Sequence, residues 1–205
     1  GGLSYSTARS GMKGMEQTGQ TALEKAAEDQ LVAIRGLKKQ QLETYFETLK
    51  TMMVNFSENP SVVYGFQELR DSAHKYSKEL SGFDAQAART ELQAYYANEY
   101  ANEYRKQNEG RQPDVGSYLS RLEDSQIALQ LDYIRNNPNP LGQKQLLDRA
   151  KAETAYNSAH AKLHSLFRNS LEQFVLYDIF LVDADSGDII YSVFKEIDFA
   201  TSLKT

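Results

Sequence analysis

The stretch Tyr177 to Asp198, YDIFLVDADSGDIIYSVFKEID, reads as two extended runs around an acidic, glycine-containing turn, and it comes after about 170 residues whose pattern is helical. Ile179, Leu181 and Asp183 share one face of an extended chain, Phe180 and Val182 the other, and β-branched and aromatic residues continue from Ile189 to Phe194. Asp185, Ser186 and Gly187 between them supply turn chemistry. A lone hairpin is marginal in water, so these strands call for further strands or a covering helix. The expected fold is mainly α, a long-helix bundle leading into an incomplete α/β sheet of which this chain holds the first hairpin.

The helical pattern is clearest near the start. Leu31, Tyr45 and Met52 fall on one heptad position, with Lys38 in the gap, and Leu42, Leu49 and Phe56 come four residues later in each heptad. Glu24, Lys39, Glu43, Glu47 and Lys50 occupy polar positions. A helix from about Ser6 to Glu58 would be roughly 80 Å long. Residues 1–19 are poor in large apolar side chains, so a helix there frays or is held by a partner. Pro60 breaks the rod, and Ser61 is the expected cap of the next helix, which runs through Val62, Val63, Phe66, Leu69, Ala73 and Tyr76. Ser81 to Asp84 reads as a kink.

The tandem repeat Ala97-Asn98-Glu99-Tyr100 and Ala101-Asn102-Glu103-Tyr104 puts Tyr96, Tyr100 and Tyr104 in one helical row. The expected role is a bundle-facing row, with an aromatic recognition ladder as the alternative. Gly110 to Asp114 is a linker. Helix is expected again through Tyr118, Leu119, Leu122, Ile127, Leu131 and Ile134. Asn136 to Gly142 must be a rigid loop, because Pro138 and Pro140 remove donors and hold their neighbours extended. A last helix carries Tyr156, Ala159, Leu163, Leu166, Phe167, Leu171 and Phe174. The expected division is residues 1–135 as a long-helix bundle, 136–155 as connector, and 156–205 as helix plus hairpin.

A net charge of −5 with no basic stripe argues against a nucleic acid or anionic membrane partner. The chain has no Cys, which removes disulfides, thiolate chemistry and Cys-ligated metal. No apolar run approaches the roughly 20 residues that span a bilayer, and the start has no signal-peptide core, so any membrane anchor is expected outside this chain.

Three constellations invite chemistry. Asp183, Asp185 and Asp188 around Gly187 resemble part of a calcium loop but lack its spacing and terminal Glu, so a hairpin turn is preferred. His160 and His164 have zinc-compatible spacing, yet no Glu comes after the first, and core or helix-surface histidines are preferred. No Gly-x-Ser-x-Gly elbow is present. Neither a catalytic role nor a cofactor is expected.

The succession DYIRNNPNPLGQKQLLDRA, YNSAHAKLHSLFRNSLEQF and YDIFLVDADSGDIIYSVFKEIDFATSL, with LVAIRGLKKQQLETYFETLKTMMVNFSENPSVV upstream, resembles the extracytoplasmic sensor region of bacterial methyl-accepting chemotaxis proteins and related transmembrane histidine kinases and cyclases. The resemblance implies a long periplasmic helix after a membrane span, then a PAS-like (Cache-type) sheet, a second span, a HAMP segment and a cytoplasmic signalling rod. Where the family pattern leads one to expect a Gly-rich insertion after Asp148, this chain has Arg149 to Thr154, which reads as continuing helix. The implied function is a periplasmic sensing domain that works as a homodimer and binds a small molecule such as a carboxylate or amino acid. Arg168 and Lys195 are the candidate carboxylate partners, Asp178 an amine acceptor, Tyr133, Tyr177 and Tyr191 the walls, with Asn137 and Asn139 adding polar contacts. The bland reading is an Arg168–Asp178 ion pair and core tyrosines. A structural coiled-coil or surface-interaction protein is the alternative from another class.

Overall fold

A computed structural model describes Gly2 to Lys204; Gly1 and Thr205, the ends of the expected domain ranges, lie outside the described residues, as do the side chains of residues 1–8. The chain is 67% helical with one small two-stranded antiparallel sheet. It divides into two compact units, residues 1–55 and 56–205.

The described residues of the first unit are all helical. Its helix α1 spans Gly2–Glu58 without a break. Leu31, Leu42 and Tyr45 of the heptad stripe are solvent-exposed, as are Phe46 and Leu37. Thr18, Thr21, Thr48 and Thr51 return their hydroxyl protons to carbonyls four residues back, which lets a helix tolerate them.

The second unit takes the last residues of α1 from Phe56 and then α2 (Pro60–Ala73), whose cap is Asn59 rather than Ser61. Asn59 Oδ1 accepts from Ser61 N at 2.9 Å and Val62 N at 3.4 Å, while Pro60 takes the first helical position, where no amide proton is needed. The helix stops at Ala73, short of Tyr76, because Ser125 Oγ donates to the His74 carbonyl and accepts from Ser77 N. Helix α3 (Tyr76–Glu79) is a single turn. The expected kink at Ser81 to Asp84 is a full break: Gly82 has φ 70°, and Asp84 caps α4 (Ala85–Tyr95).

Helix α4 passes through a π-helical turn, Tyr96–Tyr100, into α5 (Ala101–Gln107), so the tyrosine row is continuous. The single helix expected from Tyr118 to Ile134 is instead α6 (Val115–Ser120), α7 (Asp124–Gln130) and a π-turn, Leu131–Arg135. Arg89 explains the interruption, since its guanidinium donates to the carbonyls of Leu119 at 3.1 Å and Leu122 at 2.6 Å that a continuous helix would have used. Glu123 and Gln126 then form a capping box for α7.

Arg149 to Thr154 is not helical, contrary to expectation. Side chains of the last helix take carbonyls in and just before this stretch: Asn157 Nδ2 donates to Ala152 O at 2.8 Å, and His160 Nδ1 lies 2.8 Å from Asp148 O. That helix, α8 (Ala155–Phe174), is capped by Thr154 and ends at Val175 in the left-handed region.

Strands β1 (Phe180–Val182) and β2 (Ile189–Ser192) form the predicted hairpin, with a bulge between Leu181 and Val182. Gly187 has φ 82° and donates to Asp183 O at 2.7 Å, closing the turn. Residues 200–203 cover the outer edge of β2 through Ile189 N to Thr201 O, Ala200 N to Ile189 O and Leu203 N to Gly187 O. The hairpin thus gains the neighbouring backbone that physical stability demands. Helices α2 and α8 pack closely, with Gly65 against Leu163.

Candidate functional site

Helix α8 sets out His160, His164 and Arg168 at successive intervals of four, and the first two are completely buried. Their rings stack with centroids 4.6 Å apart and planes 23° apart. Carbonyl oxygens only accept, so hydrogen-bond partners fix the tautomers. His164 Nε2 donates to Gln145 O at 2.7 Å, leaving Nδ1 to accept from the Tyr191 hydroxyl at 2.7 Å. His160 Nδ1 donates to Asp148 O, and its Nε2 is buried without a partner. Burial, and then the nearby Lys195, push His164 down to about 4 and His160 well below the ordinary value. Both are neutral core histidines.

Lys195 comes just after β2 with φ 56° and is 1% exposed. Its Nζ lies 4.1 Å from the ring centroid of Tyr191, 5.1 Å from Phe199 and 5.6 Å from Tyr133, and it donates to the Ser192 carbonyl. The aromatic faces favour the charged amine and burial opposes it. Burial wins: it draws the lysine down to about 7, with the Asp178 charge acting in the other direction.

Tyr133, fully buried on the π-turn after α7, donates to Asn157 Oδ1 at 2.8 Å. Tyr76 reaches the same Asn157 and donates to Asp132 Oδ2 at 2.7 Å. Asn137 Nδ2 donates to the carbonyls of Tyr133 and Lys144, both at 2.9 Å, and its Oδ1 accepts from the Asn139 amide and side chain at 3.0 Å. Asn137 and Asn139 therefore lock the Pro-rich loop onto the core. Lys144 Nζ completes the lock at 3.0 Å from Asn137 O.

Of the candidate site residues, Tyr133, Tyr191 and Lys195 come together, and Asp178 lies close enough to act on Lys195 electrostatically. The rest are engaged elsewhere. Arg168 pairs with Asp148 Oδ1 at 2.8 Å and donates to Gln145 O, so the considered Arg168–Asp178 pair is not formed. Asp178 Oδ1 accepts from the amides of Ile179 at 2.6 Å, Val193 at 2.9 Å and Phe194 at 3.3 Å, and fastens the open end of the hairpin. Desolvation raises its carboxyl despite those donors. Tyr177 is 79% exposed and donates to Glu196 Oε2, so it walls nothing. Sequence reasoning missed Phe199, Asn157 and the stacked histidines as members of the cluster. The four-residue spacing of His160, His164 and Arg168 was the available signal.

Asp183, at the turn, accepts from Asp185 N at 3.0 Å, and His74 lies 3.9 Å from the carboxylates of both Asp183 and Asp188. The turn role expected of these aspartates is what their bonding shows. No group of three or more His, Cys, Asp or Glu able to hold a metal is found among the described residues.

No family model, no curated protein and no solved structure matches the chain.

Proposed function

We propose that this chain is the extracytoplasmic sensing segment of a bacterial chemoreceptor of the methyl-accepting type, with a PAS-like (Cache-type) identity for its hairpin end. One observation carries the reading. The three stretches that bear the resemblance, through Tyr133 and Asn137, through His160 and His164, and through Tyr191, Lys195 and Phe199, converge on one buried polar and aromatic cluster. Such a cluster ties the hairpin to α8 and to the Pro-rich loop, so a ligand that shifts the hairpin disturbs an ammonium with few alternative partners. A buried charge with one hydrogen-bonded carbonyl and three ring faces has few equally good arrangements, which favours discrete states over gradual deformation.

In this reading the protein is anchored by membrane segments outside this chain and acts as a homodimer through the exposed part of the α1 stripe, Leu31, Leu42 and Tyr45. The role is binding, not catalysis. A small carboxylate would have to compete with Asp148 for Arg168 and with the ring cage for Lys195. The gene beyond Thr205 supplies the test: further strands, an apolar span and a HAMP segment support the reading, and a stop codon there overturns it. A kinase or cyclase module after HAMP would keep the sensor role and change the output.

A further inference from the structure

The repeated tyrosines of the π-turn and α5 line a cavity of about 470 Å³ that also receives Glu103 and Glu196. Ring centroids of Tyr96 and Tyr100 are 5.8 Å apart and those of Tyr100 and Tyr104 are 5.9 Å apart, the first pair edge-to-face and the second tilted. Tyr96 is fixed at the back by its hydroxyl, which donates to Gln130 Oε1 at 3.0 Å. Tyr100 and Tyr104 remain partly exposed.

After burial and its tyrosine neighbours, the charges of Glu196 and Asp198 contribute to raising the Tyr100 hydroxyl. Glu103 is already held by Lys106 at 3.1 Å and Gln107 at 3.1 Å, so Glu196 is the carboxylate with charge to offer, its Oε2 accepting only the Tyr177 hydroxyl proton among the described bonds. Lys195 also borders the cavity, but its ammonium is directed to the rings of Tyr133, Tyr191 and Phe199. Aromatic faces beside an uncompensated carboxylate suit a cation with an apolar body.

We propose that this groove binds a primary organic ammonium, its alkyl stem against the rings of Tyr100 and Tyr104 and its charge against Glu196. A sugar or nucleobase could stack on the same rings, yet neither draws on the carboxylate. The inference goes beyond the sensor reading, because binding here is a property of this chain whatever output it serves.

Titration calorimetry with butylammonium chloride, and with the neutral, similarly shaped pentan-1-ol at equal ionic strength, tests it. Butylammonium binds at least about tenfold more tightly than pentan-1-ol, and Glu196→Gln and Tyr100→Leu each weaken it about tenfold, whereas Tyr100→Phe leaves it unchanged. Equal affinity for both probes, undiminished affinity in both weakening variants, or no heat from butylammonium overturns the proposal. Glu196 is half-buried and Gln keeps its size and hydrogen-bonding atoms, so the Gln variant keeps the test sound should Tyr100→Leu unfold. The sensor reading stands or falls separately, on the gene beyond Thr205.

Discussion

Replacing Lys195 with Met removes a charge from the core while keeping an apolar stem of similar reach. The fall of the lysine from 10.5 to about 7 corresponds, at about 1.4 kcal/mol for each tenfold change, to about 5 kcal/mol against the charged form. Ring faces at 4.1, 5.1 and 5.6 Å, two of them near the far limit of such contacts, oppose this by about 0.5 to 1 kcal/mol each, leaving a net cost of about 2 to 4 kcal/mol. The folded lysine titrates below the unfolded one, so the unfolded chain holds more protons between about 7 and 10.5 and stability rises with pH across that window. Urea unfolding followed by circular dichroism from about pH 6.5 to 9.5 reads the effect, ending before unfolded tyrosines ionise near 10. The native chain should gain about 2 to 4 kcal/mol over that range, and Lys195→Met should show a flat profile and exceed the native chain at the acid end. A native profile already flat, or a Met variant with the native slope, would refute the claim that burial dominates the cage.

Three further outcomes are expected. His164 titrates near 4 when folded, so it should contribute a fall in stability of about 3 kcal/mol as pH drops from about 6.5 to 4, and in the same unfolding assay His164→Gln should remove that part of the slope and leave the part due to His160. Asn59→Ala strips two amide partners from the start of α2 and should cost about 1 kcal/mol, read as a lowered urea midpoint with unchanged slope. At Gly65 an added Cβ would lie 2.8 Å from buried Leu163 Cδ1, so Gly65→Val should destabilise by about 1 to 3 kcal/mol through overpacking of α2 on α8, measured by thermal unfolding.

Local chemistry alone determined much of the architecture. The heptad run predicts α1, Pro60 ends it, Pro138 and Pro140 enforce the loop, and Gly187 permits the hairpin turn, because each acts on backbone torsions within a few residues. Where sequence reasoning failed, a distant side chain had taken over. Arg89 breaks the helix after Ser120 by binding carbonyls about thirty positions later, and Ser125 ends α2 from across the fold. In the sequence Lys195, Arg168 and Asp178 read as candidate ligand contacts, with an Arg168–Asp178 ion pair as the bland alternative. Tertiary structure turned one into a caged core cation, paired the second with Asp148, and spent the third on three hairpin amides. A charged residue's role depends on which partner reaches it first through space, and separations such as the 81 positions between Tyr76 and Asn157 leave no periodic trace in a sequence.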